Sequence, residues 1–189
     1  MGQKILIAGF GGQGVMTLGK FLAESTCKTT EKNVTFFPSY GAEQRGGTAN
    51  CYVTISDNLI GSPVGNEVDD LIVLNSASLE RFLPALRKGG RLFVNSSIIK
   101  EKITREDISV VSVPCTEISL ELGNSKALNI VMLGAYVGYT RILPEDAIWQ
   151  TVEQKLRKKA ELLKLNRQAY ESGLRIGKEQ ITGKSGAFM

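Results

Sequence analysis

The sequence predicts a single α/β domain with a Rossmann-like, mainly parallel sheet, an added hairpin and C-terminal helices. Short apolar segments of strand length alternate with helical patterns, a glycine-rich stretch separates the first strand from the first helix, and the pattern after residue 115 is helical throughout. The chain has 189 residues, 42% of them hydrophobic, which suits one core. We assign residues 1–182 to this domain and residues 183–189 to a flexible tail.

The first strand and helix are the clearest elements. Residues 4–8 form an apolar strand, and apolar side chains recur at helical spacing from Val15 onward, so the glycines between them occupy a strand-to-helix turn. Residues 34–37 form a second strand that we expect to end at Pro38. The first strand and the first helix, joined by the glycine turn, are half of a βαβ unit.

The next segment predicts a hairpin. Residues 49–56 alternate between the two faces of a strand. Asp57 and Asn58 are turn residues, and we expect them to lead the chain back through Leu59 and Ile60.

Three further apolar segments predict buried strands, at residues 71–74, 92–94 and 110–113. The first two are separated by a helix over residues 79–86, which we expect Gly89 and Gly90 to close. Strands that alternate with helices in this way favour a parallel sheet.

Helices account for the remainder of the domain. The predicted ranges are 116–122, 126–142, 144–156 and 160–180, with Gly123 ending the first of them. Within the second range, Gly134 and Gly138 lie on one face of the helix. We interpret them as sites of close packing in the core, with a subunit interface as the alternative.

Composition excludes several classes of chemistry. The chain contains no histidine, which removes Ser-His-Asp and Cys-His nucleophiles, histidine bases and most zinc sites. Cys27, Cys51 and Cys115 are far apart, so no C-x-x-C pair exists for a metal, a cluster or a redox disulfide. Residues 130–139, the longest apolar run, are too few to span a membrane, and we expect a cytoplasmic protein.

The net charge of +4 is concentrated near the C-terminus. Its densest part is Lys155, Arg157, Lys158 and Lys159, where acidic residues interleave nearby and no aromatic platform is present. We interpret this stretch as a solvated helix face, with an acidic protein partner as the alternative, and predict no nucleic-acid binding.

The glycine-rich turn is the first candidate site. Its motif, G-x-G-x-x-G, is formed by Gly9, Gly11, Gly12, Gln13 and Gly14. The glycines allow positive φ angles, and the following helix N-terminus attracts an anion. Three interpretations are open: a bound NAD(P) or FAD, an anion or cofactor phosphate shared with another chain, or a purely structural turn. The acidic residue that binds a ribose is missing, because Phe37 and Pro38 end the second strand.

The second candidate site is a loop after the second strand, where open α/β sheets bind ligands. Opposite charges lie close to glycines in this loop, and Arg45 is suited to a phosphate or carboxylate. An ordinary exposed loop with a weak ion pair is the alternative. The candidate ligand or partner residues are Tyr40, Gly41, Glu43, Arg45, Gly46 and Gly47, together with Asn129 on a later helix.

Taken together, these motifs resemble the γ subunit of the 2-oxoacid:ferredoxin oxidoreductases. Order and spacing match over most of residues 4–140, and the pair of glycine-rich motifs is specific. The matching residues are Gly9-x-Gly11-Gly12-Gln13-Gly14, Tyr40-Gly41-x-Glu43-x-Arg45-Gly46-Gly47, Ser62-Pro63, and Asn129 with Leu133-Gly134.

The resemblance implies a multisubunit enzyme that decarboxylates a 2-oxoacid with thiamine diphosphate and Mg, forms an acyl-CoA, and passes electrons through iron–sulfur clusters to ferredoxin. It implies that these cofactors belong to α, β and δ partners, whereas the γ chain is non-catalytic, inactive alone, and helps to cover the coenzyme A side of the active site. The 2-oxoglutarate or branched-chain type is expected. A homo-oligomer is also compatible with the sequence. The alternative function is that of a stand-alone NAD(P)- or FAD-binding oxidoreductase domain.

Overall fold

The computed structural model describes residues 2–39, 48–157 and 160–185. They include six strands in one sheet, in the order β2-β3-β1-β4-β5-β6. β1, β4, β5 and β6 run parallel to one another, whereas β3 is antiparallel to both of its neighbours. The mainly parallel, Rossmann-like sheet is thereby confirmed. The strands are β1 Gln3–Phe10, β2 Asn33–Ser39, β3 Thr48–Ser56, β4 Val68–Val73, β5 Leu86–Asn95 and β6 Ser109–Val113.

The predicted C-terminal helices are also confirmed. The last helix continues to Ser185, so residues 183–185 of the predicted tail are helical, while residues 186–189 lie outside the described residues. Gly183 does not end the helix, since one glycine costs only about 1 kcal/mol in a helix interior. The helices are α1 Val15–Thr29, α2 Ser76–Phe82, α3 Cys115–Glu121, α4 Leu128–Thr140, α5 Glu145–Leu156 and α6 Ala160–Ser185.

The sheet separates two hydrophobic clusters. Because side chains alternate along a strand, Ile5 and Ile7 of β1 enter one cluster and Leu6 enters the other. The larger cluster lies under α1, α4, α5 and α6, and the smaller lies under α2 and the segment that contains Ile99. Helical cover on both faces explains why the central strands are apolar on both sides.

The predicted hairpin after β3 is wrong. β3 pairs with the preceding strand β2 on one side and with β1 on the other, so no edge is left for a returning strand. Residues 57–67 form no strand, and Leu59 is 91% exposed. Pro38 does not end β2 but lies within it, because β2 is an edge strand and needs no N–H donor on its open side.

The predicted helix over residues 79–86 lies earlier in the chain, since α2 begins at Ser76. α2 ends at Phe82, a 3-10 turn occupies Leu83–Ala85, and Gly89 and Gly90 lie inside β5. Gly89 has a φ of 70°, and the β4–β5 pairing shifts register beside it. These glycines therefore form an irregularity in a strand and do not cap a helix.

Glycines bring α4 and α6 into backbone contact. A Cβ on Gly134 would collide with the carbonyl oxygen of Tyr170, and one on Gly138 would lie 2.5 Å from the carbonyl oxygen of Leu174. The interpretation of these two glycines as core packing is confirmed. Gly173 of α6 meets α4 in the same way, a complementary position that the sequence analysis missed.

Candidate functional site

The glycine-rich turn joins β1 to α1 at the carboxyl edge of the sheet. Gly12 and Gly14 have φ angles of 92° and 79°, which a residue with a Cβ rarely adopts. A Cβ on Gly11 or Gly12 would meet no atom within 4 Å, and Phe10 beside them is 42% exposed. The tip of the turn is therefore open to a partner or ligand.

Gln13 anchors the turn to the sheet. Its Oε1 accepts hydrogen bonds from the backbone N–H of Phe10 at 2.6 Å and from Nδ2 of Asn75 at 3.1 Å. Its Nε2 donates to the carbonyl oxygen of Leu74 at 3.3 Å. The side chain thus bridges the carboxyl ends of β1 and β4. The helices that follow these strands, α1 and α2, pack on opposite faces of the sheet.

In the sequence, Gln13 is only a candidate contact, and Asn75 is not among the predicted site residues. The available signal was the position of Asn75 immediately before a helix, since asparagine is a favoured N-cap. Its Oδ1 accepts from the backbone N–H of Ser78 at 2.8 Å, as an N-cap does. Asn75 therefore fixes the start of α2 and holds Gln13 at the same time.

The other two glycines are required by close packing. A Cβ on Gly9 would lie 2.8 Å from Oε1 of Gln13, and one on Gly14 would lie 2.5 Å from Nδ2 of Asn129. Asn129 is only 5% exposed, and its Nδ2 donates to the carbonyl oxygen of Gly14 at 3.3 Å. The structure thus brings together the glycine turn and Asn129, which are far apart in the sequence.

The start of α1 is an anion-attracting element. Gly14 is the N-cap and supplies no side-chain hydrogen bond, and the first turn contains no acidic residue. The N–H groups of Val15, Met16 and Thr17 have no acceptor within the helix, as in the first turn of any α-helix. The positive end of the helix dipole is left without a compensating charge from its own first turn.

The geometry does not favour a dinucleotide. In that fold the strand after the first helix lies beside the first strand and ends in the ribose-binding acid. Here β2 lies at the sheet edge, and the antiparallel strand β3 separates it from β1. In addition, the crevice between β1 and β4 contains the side chain of Gln13.

The second candidate loop lies outside the described residues. It comprises Tyr40, Gly41, Glu43, Arg45, Gly46 and Gly47. The described backbone on either side ends at Ser39 and resumes at Thr48. Thr48 is paired with Phe10, so the chain re-enters the sheet directly beside the glycine turn.

The cysteines are not arranged for metal or redox chemistry in the described part of the chain. No group of three or more potential His, Cys, Asp or Glu metal ligands occurs there. Burial raises the pKa of the Cys51 and Cys115 thiols to about 12, so both are protonated at neutral pH. Cys51 and Cys115 are therefore inert core thiols, while Cys27 is exposed.

A buried polar cluster lies nearer the amino ends of the parallel strands. Asp70 of β4 is fully buried and accepts two hydrogen bonds from Arg91 at 2.6 and 2.8 Å. Tyr136 donates to the same carboxylate at 2.7 Å, and Gln3 donates at 2.9 Å. Burial and the Asp70 charge raise the pKa of Tyr136 well above its ordinary value. The cluster joins α4 to the sheet and is structural.

Among the residues that the structure describes, no helix combines the length and the apolar content needed to cross a membrane.

Comparison with known proteins identifies relatives along most of the chain. Residues 4–176 match the family model described as pyruvate ferredoxin/flavodoxin oxidoreductase. The ketoisovalerate oxidoreductase subunit VorA of Methanothermobacter thermautotrophicus is 33% identical over 96% of this chain. The chain spans only 38% of the length of that relative.

Two further relatives match over nearly their whole length. The 2-oxoglutarate synthase subunit KorC of Archaeoglobus fulgidus is 31% identical over 94% of this chain and 91% of its own. The crystal structure of a keto/oxoacid ferredoxin oxidoreductase gamma subunit from Geobacter sulfurreducens superposes with a TM-score of 0.82 at 27% identity, covering 94% of this chain and 97% of that one. The chain therefore belongs to the pyruvate ferredoxin/flavodoxin oxidoreductase family, in which it is of the γ-subunit type.

Proposed function

We propose that this chain is the non-catalytic γ subunit, or γ domain, of a thiamine-dependent 2-oxoacid:ferredoxin oxidoreductase. The complex would convert a 2-oxoacid and CoA to an acyl-CoA, CO2 and reduced ferredoxin. Thiamine diphosphate, Mg and the iron–sulfur clusters would be held by α, β and δ partners, and CoA would bind on or together with them. The isolated chain would be inactive.

The observation that carries this proposal is the anchored glycine turn. The hydrogen bonds of Gln13 hold the turn on two strands. The space next to Gly11 and Gly12 is open, since a Cβ on either would meet no atom within 4 Å, and the ring of Phe10 beside them is exposed. A turn that is rigid but has no partner atoms at its tip suits recognition by another chain, because little conformational entropy is lost on binding. Glu43 to Gly47 would extend the same surface.

The turn would act by shape and backbone polarity. Small residues at the tip let a partner backbone approach closely, and the N–H groups at the start of α1 favour a partner carboxylate or a cofactor phosphate. Asn129 would contribute indirectly, since its hydrogen bond holds Gly14 in place. No step of the chemistry is assigned to a residue of this chain.

The substrate of the complex is proposed to be 2-oxoglutarate or a branched-chain 2-oxoacid. Relatives named for ketoisovalerate and 2-oxoglutarate, at 33% and 31% identity, support this choice. The thiamine-bearing partners would select the substrate.

Affinity purification of the tagged chain from the cell that encodes it tests the function. We expect thiamine-binding and cluster-binding chains to co-purify, and the recovered complex to reduce ferredoxin when a 2-oxoacid and CoA are supplied. The chain expressed alone is the control and should show no such activity. Recovery of the chain without such partners would contradict the proposal, and activity restricted to pyruvate would contradict the proposed substrate type.

A further inference from the structure

We draw no further inference here: the strongest candidate, the open edge of the sheet along β2, where Phe37 is 45% exposed and Thr35 Oγ1 is buried without a hydrogen-bond partner among the described residues, carries none because nothing in the structure shows what covers it.

Discussion

At the scale of single residues, the glycines of the turn are needed for different physical reasons. Gly12 and Gly14 have positive φ angles, Gly9 and Gly14 are packed against side chains, and Gly11 has neither constraint. The motif could be recognised in the sequence, but its spacing alone does not reveal which constraint acts at which position.

Alanine substitutions separate these constraints. Gly11→Ala should change the free energy of unfolding by less than about 0.5 kcal/mol, and Gly12→Ala should cost about 1–2 kcal/mol because of its left-handed backbone. Gly14→Ala should cost more than about 2 kcal/mol, since the new Cβ also displaces Asn129. Urea denaturation measures all three values. Equal stabilities of the Gly11 and Gly14 variants would contradict the packing of Asn129 on the turn.

The buried carboxylate of Asp70 is a second place where single residues determine the stability of the fold. Asp70→Ala should cost about 3–5 kcal/mol, because Arg91 and Tyr136 both lose their buried acceptor. Tyr136→Phe should cost about 1–3 kcal/mol, since one of the donors to the carboxylate is lost. Glu171→Ala is the control: its exposed pair with Arg167 is worth about 0.3–0.5 kcal/mol. Denaturant unfolding measures the three values, and an Asp70 variant as stable as the Glu171 variant would refute the assigned role of the cluster.

At the scale of elements, α4 and α6 depend on glycine for their close approach. Gly134 and Gly138 of α4 face α6, and Gly173 and Gly177 of α6 face α4. The sequence identified only the first pair, because α6 reads as a charged surface helix with one apolar side. The packing role of the glycines in α6 is evident only when α4 lies against them.

The helix pair should therefore tolerate no added methyl group. Gly134→Ala and Gly173→Ala should each cost about 3 kcal/mol or more, because the colliding atoms belong to the backbone of the opposite helix and cannot rotate away. Gly61→Ala, where a Cβ would meet nothing within 4 Å, should be neutral. The difference in thermal midpoint between each variant and the parent protein measures the effect. A Gly134 variant with the same midpoint as the Gly61 variant would show that the helices can separate without cost.

The pairing of β3 shows why strand order was harder to predict than strand position. All six strands contain segments recognised in the sequence, since hydrophobic patterning is local. The choice of partners is not local: β3 lies between β2 and β1, so the expected return strand at Leu59 has no place in the sheet. A turn dipeptide is insufficient evidence for a hairpin when the strand before it is already paired on both edges.

At the scale of the whole molecule, the chain is suited to serve as part of a larger assembly. The same fold occurs in a γ subunit of matching length, whereas the ketoisovalerate relative is much longer than the matched segment. A domain found both as a separate subunit and within a longer chain needs surfaces that other chains or domains recognise. The glycine turn, beside which the backbone re-enters the sheet at Thr48, is the surface proposed for this role.

Arg45 provides the assembly-level prediction. Arg45→Ala should weaken assembly of the complex roughly tenfold, the loss expected for one charge-assisted contact, with little change in melting temperature. Arg45→Lys should restore only part of the strength of assembly, because lysine cannot form two parallel hydrogen bonds to one carboxylate or phosphate as arginine does. Arg87→Ala is the control, because Arg87 lies near the amino end of β5, at the opposite end of the parallel strands from the glycine turn. Analytical size exclusion of the reconstituted complex measures the effect, and unchanged assembly by Arg45→Ala would reject the contact.

The sequence by itself determined the fold class, the strand-to-helix turn and the family resemblance, because hydrophobic periodicity, glycine spacing and ordered motifs are local properties of the chain. Only the tertiary structure decided that Gln13 anchors the turn and that Asn129 packs on Gly14. These relations join segments separated by tens of residues or more, and they arise from how the helices pack on the sheet. No pattern within one segment can encode them.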